Sequence, residues 1–436
     1  MVFTAETSDC LFIPAARSEA VKKLCQILLA SLVLFQSASA VASPEAEIMH
    51  WWSRGGDYAA LQVFRAEFEG RGGIWHDTIT EGSIETLNNA VSRMSKGYAP
   101  TFVLWNSGWE VTEISRLGLL DPITDSVTLN KIRGSILDSV LGIVSVDEQI
   151  VAIPVNVHSE NWLWHLRDAV EPGDAELFGT WQQFLAFAKQ KKEADEIVIA
   201  VGDEPWQQRL LFNNVLLGVA GQSLYQAFYT RRDINALEDP AFAEALDVFR
   251  QLKAFSRSFK EGRWDQQIAA VADGRALTIS MGDWAKGEFQ NLGIDIGSKL
   301  ACVPAPGTAN KLILVIDVFV RGRVDNKEEG EGQSHFIDIV TDPAVNQRFN
   351  SLKGSLPPLK HLDQSTLDDC GRIAYTTLQQ QTQVIEPFAN YGHREALSKI
   401  EYLIGKLWNQ ETDVAQTIKA LRALMEVNYT YSNNKQ

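Results

Sequence analysis

Tryptophan is the residue whose neighbours point to chemistry in this chain. There are 12 in 436 residues, and several stand beside acids, amides or lysines. The stretches are "HWWSRGGD" from His50, "VNVHSENWLW" from Val155, "DEPWQQR" from Asp203, "GRWDQQ" from Gly262 and "MGDWAKGEF" from Met281. Carbohydrate recognition needs this pairing. A pyranose offers C–H faces that pack on indole. Its hydroxyls each donate once and accept twice, so Asp, Asn, Gln and Lys satisfy them, with charge-assisted bonds the stronger kind. Taken singly, a tryptophan is more often a core filler with its N–H satisfied, and only the clustering favours a site.

Motifs for catalysis are missing. The sequence has no G-x-S-x-G, H-E-x-x-H, G-x-x-x-x-G-K or C-x-x-C. Its seven histidines are scattered without metal-ligand spacing, and 55 acidic residues single out no carboxylate pair. No catalytic residue, metal or cofactor is expected, and the chain reads as a binding protein, not an enzyme. The alternative, a secreted carbohydrate-active enzyme, requires two carboxylates set across a scissile bond at one of two separations. Nothing in the sequence marks such a pair.

The elements that must position these residues alternate. "EIMHWWS" reads as a strand, and Leu61, Phe64 and Phe68 then mark one helical face between Asp57 and Glu69. "IWHDTIT" at Ile74, a helix over 84–94 and "TFVLWN" at Thr101 continue the rhythm. It recurs as "EIVIAVG" into "WQQRLLFNNVLLGVAG" and as "ALTISMG" into a further helix, and the chain from about Glu395 is mostly helical. Strands separated by helices give an α/β fold with parallel sheets, and this length predicts two lobes. Ligands in such sheets bind beyond the carboxyl ends of strands, where Trp51 and Trp52 fall. "EEGEG" at Glu328 reads as a solvated loop tip. Asp283 reads as a helix cap, His158 as a structural histidine, and Trp162 and Trp164 as one face of a strand.

Fifty-five acids against 40 bases give net charge −15, which argues against nucleic acid or an anionic membrane as partner. Lys22 and Lys23, an apolar run from Leu24 to Phe35 and "SASA" form a secretory signal, expected at 1–40 with cleavage after Ala40 or Ala42. "VKKLC" is where such a signal opens, so Val21 is a candidate start. Export would leave Cys302 and Cys370, either as one disulfide or as two unpaired core thiols.

"HWWSRGGD", "IPVNVHSENWLW", "PWQQ", "MGDWAKGEF", "CVPAPGT" and "LKGSLP" resemble, in order from about Glu47 to Trp408, the glucose/mannose branch of the periplasmic sugar-binding proteins of ABC transporters. The resemblance implies a two-lobed periplasmic binding protein fold of type II, each lobe a mostly parallel sheet flanked by helices and joined by hinge strands. Lobe 1 would comprise 45–155 and about 296–345, and lobe 2 would comprise 156–295 and about 346–436. It implies a monomer in the periplasm that captures a small sugar, such as glucose or mannose, for an inner-membrane permease and in some cases a chemoreceptor. The implied ligand-binding residues are Trp51, Trp52, Asp57, Ser107, Trp284, Asp317, Lys353 and His393. The resemblance also implies a Cys302–Cys370 disulfide.

The chain departs from the family pattern at several positions. Asp57 stands where the family has Glu, and "ITEGSIET" replaces a glycine-rich loop. A lysine after the third strand is missing, with Ser107 or Asn106 in that region, and either His393 or Tyr391 matches the C-terminal contact. A ligand other than a hexose is the further alternative.

Overall fold

The computed structural model describes residues 43–380, 384–386, 388–392 and 394–433. The expected signal segment at 1–40 and the candidate His393 lie outside them.

Two five-stranded sheets organise the chain from Pro44 onward. In the first the order is Ile74–Ile79, Glu45–His50, Phe102–Asn106, Asp317–Arg321, Ala152–Pro154. The first three strands run parallel, and Asp317–Arg321 is antiparallel to both its neighbours. The second runs Ser256–Arg257, Ile199–Ala200, Thr278–Ser280, Trp162–Leu166, Leu300–Pro304. Here too the first three are parallel, and Trp162–Leu166 is antiparallel on both sides. Both sheets are therefore mixed, where the rhythm of strands and helices predicted mostly parallel ones. The reversed strands enter from the other sheet's side of the chain, without the local helical crossover that makes neighbours parallel.

The crossings run through a small third sheet. His158–Ser159 lies between Pro154 of the first sheet and Trp162 of the second, and it pairs antiparallel with Leu312–Val315, which leads back to Asp317. Polar residues of these crossing segments thus fall between the two large sheets.

The helices follow the apolar periodicity. Gly55–Gly70 buries Ala60, Leu61, Phe64 and Phe68. Ser83–Ser95 buries Leu87, Ala90 and Met94. Phe64 stacks on Phe349 with centroids 4.3 Å apart, and Phe349 also meets Trp52 at 5.8 Å. Each such ring contributes about 1.5–3 kcal/mol through burial. Trp162 and Trp164 are both fully buried core residues. Two helices, Arg394–Trp408 and Val414–Asn433, end the chain as expected. No helix among the described residues is long and apolar enough to cross a membrane.

Three expectations are corrected. Leu300–Pro304 pairs with Trp162–Leu166 in the second sheet, so the division placed near 296 moves past 304. The helix Pro343–Lys353 packs on Gly55–Gly70 beside the first sheet, so the division placed near 345 moves past 353. "EEGEG" is not a loop tip but the first turns of the helix Lys327–Val340. The Asn326 side chain accepts from the Glu329 N–H there, and Glu328 and Glu329 favour a helix N-terminus.

Cys302 and Cys370 form a disulfide, with Cα atoms 6.1 Å apart, that ties the second sheet's edge strand to the helix Asp369–Gln379. It closes a 68-residue span, worth about 4 kcal/mol by loop entropy. Replacing both cysteines by serine should therefore lower the urea midpoint markedly. Wild-type protein in reducing agent should move to the same midpoint as the variant.

Candidate functional site

Asp317 opens the antiparallel strand of the first sheet, and its carboxylate is clamped from both sides. Asn106, at the end of the neighbouring strand, donates to Oδ1 at 2.7 Å, and Asn156 donates to Oδ2 at 2.7 Å. Asn156 Oδ1 in turn accepts from the Asp317 main-chain N–H at 3.0 Å. His158 presents Nε2 to Oδ2 at 3.4 Å, long for a hydrogen bond but close for an ion pair. Lys353, at the last turn of Pro343–Lys353, places Nζ 2.7 Å from Asp57 Oδ1 and 3.9 Å from Asp317 Oδ2. The same ammonium lies 4.8 Å from the Trp52 ring centroid, a cation–π contact.

The other end of the network belongs to the segment before the helix Trp284–Asn291. His158 Nδ1 bonds to Asp283 Oδ1, and the Ser159 N–H donates to Asp283 Oδ2 at 3.1 Å. Asp283 therefore does not cap the helix with its side chain, as the sequence predicted. It holds the imidazole instead. The Trp284 ring stands edge-on to His158 at 5.5 Å, and Trp206 packs 6.3 Å beyond it. One continuous series thus links Trp52, Lys353, Asp317, His158 and Trp284.

Asp283, Asp317 and Lys353 are each 4% exposed and His158 1%, so the solvation that would normally support their charge is gone. Burial works against the charge of His158, but Asp283 and Asp317 outweigh it and hold the imidazole above its ordinary value. Burial likewise opposes ionised Asp317, yet His158, Lys353 and Asn156 keep the carboxyl below the usual range. Lys353 is desolvated too, and Asp57 and Asp317 raise it. Removing one member would strand its partner's charge, the costly outcome for buried pairs.

Backbone contact brings the two ends this close. The Gly56 N–H donates to Glu288 Oε2 at 3.0 Å, and a Cβ at Gly56 would lie 2.6 Å from the Gly287 carbonyl carbon. Gly55, at φ +59°, makes the turn into the helix. A Cβ on Gly287 would in turn meet the Leu352 carbonyl at 2.5 Å. Burial pushes the Glu288 carboxyl up, with Asp265 and Asp57 adding to the effect.

The remaining candidates are placed as follows. The first strand ends at His50, so the tryptophan pair lies beyond it: Trp52 is 2% exposed against Phe319 and Phe349, whereas Trp51 is half-buried at the margin of the core. Ser107 donates its N–H to the Ile316 carbonyl, and its hydroxyl is buried without a partner among the described residues, beside a cavity of about 10 Å³. Asn106 rather than Ser107 faces Asp317. Tyr391 stacks on Tyr229 at 5.3 Å and donates to the Glu386 carbonyl, within the second lobe's aromatic core. Asn156 was not singled out in the sequence, yet Asn156 and His158 alternate in "VNVH", which sets two polar side chains on one face of an extended segment.

Sugar hydroxyls, which donate and accept at once, are suited to enter such a set. A donor can go to Asp57 or Asp317 while Lys353 or His158 supplies the proton for the same oxygen.

Comparison with known proteins agrees with this architecture. Residues 64–368 match the family model described as bacterial extracellular solute-binding protein, and the chain belongs to that family. A "Probable sugar-binding periplasmic protein" of Rhizobium meliloti is 28% identical over 405 residues, covering 90% of this chain and 96% of its own. One of the same name from Brucella suis is 27% identical over 400 residues, with 89% and 94% covered. Among solved structures, the solute receptor AcbH, described as preferring β-D-galactopyranose, aligns with TM-score 0.72 at 16% identity over 89% of this chain and 98% of its own. A chitin oligosaccharide binding protein aligns with TM-score 0.71 at 15% identity, over 88% and 98%. At these identities the structures establish the two-lobed fold.

Two outcomes follow. His158 binds its proton more tightly folded than unfolded, so its contribution is complete below about pH 6.5 and is lost as pH rises through the raised value. Between pH 5 and 9 the melting temperature of wild type should fall relative to that of His158→Gln, the difference shrinking toward the alkaline end. Gly56→Val should weaken ligand affinity at least tenfold with little loss of helicity by circular dichroism, because a side chain there holds Gly55–Gly70 off Trp284–Asn291.

Proposed function

We propose that this protein is the sugar-capturing component of an ABC importer, working in the periplasm without turnover and delivering its cargo to an inner-membrane permease. The ring it grips is a hexose such as glucose or mannose, held by Asp57, Asp317 and Lys353 with Asn106, Asn156 and His158 in support. The observation that carries this reading is the buried series of donors and acceptors ending in Trp52 on one side and Trp284 on the other. The names of the relatives and the family's role in solute capture support it as well. Trp51 and Trp284, both partly exposed, are the indoles that stack on the ring, and Trp52 acts from behind by fixing the Lys353 ammonium.

Each charge-assisted bond to a hydroxyl contributes about 1.5–3 kcal/mol, or roughly 10- to 100-fold in affinity. Calorimetry against hexoses, pentoses, disaccharides and polyols should give saturable binding with quenched tryptophan fluorescence. Lys353→Ala and Asp317→Asn should each lose at least tenfold in affinity. Incubation with oligosaccharides should release no product. Cleaved sugar would favour the enzyme reading, and a panel with no binder would remove the sugar.

A further inference from the structure

The helix Trp284–Asn291, which carries Trp284 and the Glu288 that reaches Gly56, is also gripped by residues that the network does not use. Lys286 is 6% exposed, and its ammonium donates to Asp368 Oδ2 at 2.7 Å. Its stem passes close to the main chain that follows Lys353, since a Cβ on Gly354 would lie 3.1 Å from the Lys286 Cβ. Asp368 Oδ1 accepts from the Gly371 N–H at 2.8 Å and so caps the helix Asp369–Gln379. One carboxylate therefore starts one helix and holds another. Burial opposes its charge, and Lys286, the Gly371 N–H and Arg372 together keep the carboxyl below its usual range.

The position of Asp368 depends on the disulfide. Cys370 lies two residues further on, is 6% exposed, and is bonded to Cys302 on the edge strand of the second sheet. That bond fixes the first turn of Asp369–Gln379, and with it the cap, to the sheet. The chain leading there from Lys353 forms no helix longer than the three-residue turn Gln364–Thr366. Without the bond, the buried Ala374 and Leu378 hold the helix only from its second turn onward. Cys302 is partly exposed where Cys370 is buried, so its sulfur is the one an incoming thiolate meets.

We infer that this disulfide is a redox control on the ligand site, acting through Asp368 and Lys286 on the helix that bears Trp284. A small dithiol is the reductant. Its thiolate attacks the Cys302 sulfur, the bond to Cys370 breaks with Cys370 leaving as the thiolate, and the second thiol then displaces Cys302. The products are two protein thiols and one oxidised dithiol, a two-electron, two-proton exchange. The cap is then free to move, and a buried ammonium whose partner moves away is the costly remnant of an ion pair. The loosening of the helix is independent of the cargo, whereas the loss of affinity that follows rests on the sugar-binding reading.

Amide hydrogen exchange on the full mature chain tests the link, with and without dithiothreitol and in the absence of urea. Reduction should speed exchange in Trp284–Asn291 at least tenfold and leave Phe102–Asn106 within twofold. Lys286→Met should speed the same helix by a similar factor in oxidised protein, and reduction should add less than twofold in that variant, because both changes break one link. Asp368→Asn, which keeps the cap and removes the charge, should repeat this result, and Lys286→Arg should restore most of the protection. The control is overturned if reduction speeds only Leu300–Pro304 and Asp369–Gln379, if it speeds every segment by one factor, or if reduction and the variants act additively. Fluorescence titration with glucose and mannose reads the consequence. A sugar that binds oxidised protein should bind reduced protein at least tenfold more weakly, and equal affinity in the two states overturns the control. If neither sugar binds in either state, the hexose reading fails, while the exchange rates still decide the link.

Discussion

Two negative charges, Asp57 and Asp317, are held against one buried ammonium, and the rest of the site is arranged around that constraint. Lys353, almost wholly buried, stays charged because carboxylates stand on two sides and an indole face on a third. Asp317 in turn stays ionised because two asparagine amides and an imidazole satisfy it. Such a set is stable while complete and expensive when partly broken, which makes it a discriminating receiver for molecules able to donate and accept at one atom.

The fold places these groups by topology, not by local sequence. Asn106 ends one strand, Asp317 begins its antiparallel neighbour, and Asn156 and His158 ride on the segment that crosses between sheets. Lys353 arrives on a helix anchored by Phe349 against Phe64. A site between two sheets is thereby assembled from main-chain positions fixed by each, and relative movement of the sheets changes the site as a whole.

Much of this was legible in the amino-acid order, and the omissions have physical causes. The helix at Gly55–Gly70 was visible because Leu61, Phe64 and Phe68 repeat with helical period, and the tryptophan clusters named Trp284 and its acidic neighbourhood. The clamp between Asn156 and Asp317 was not visible, since it joins positions 161 apart that only the crossing segments bring together. Asp283 was misread because an acid before a helix usually caps it, whereas here the stronger claim comes from a buried imidazole. The edge strand Leu300–Pro304 was assigned to the wrong lobe because a short apolar run carries no record of which sheet it will join. The helix at Lys327–Val340 was obscured by its acidic, glycine-bearing start, although Phe336, Ile337 and Val340 drive its burial further along.

The glycines where Gly55–Gly70 meets Trp284–Asn291 carry one more implication. A seam where glycine main chain meets main chain, with Glu288 reaching across to the Gly56 N–H, leaves few side chains to tune, so its shape depends little on what the site holds. A membrane receiver that touches this outline would sense only that the jaws are shut. Chemical discrimination would then reside wholly inside, and one docking surface could serve every substrate that the interior accepts.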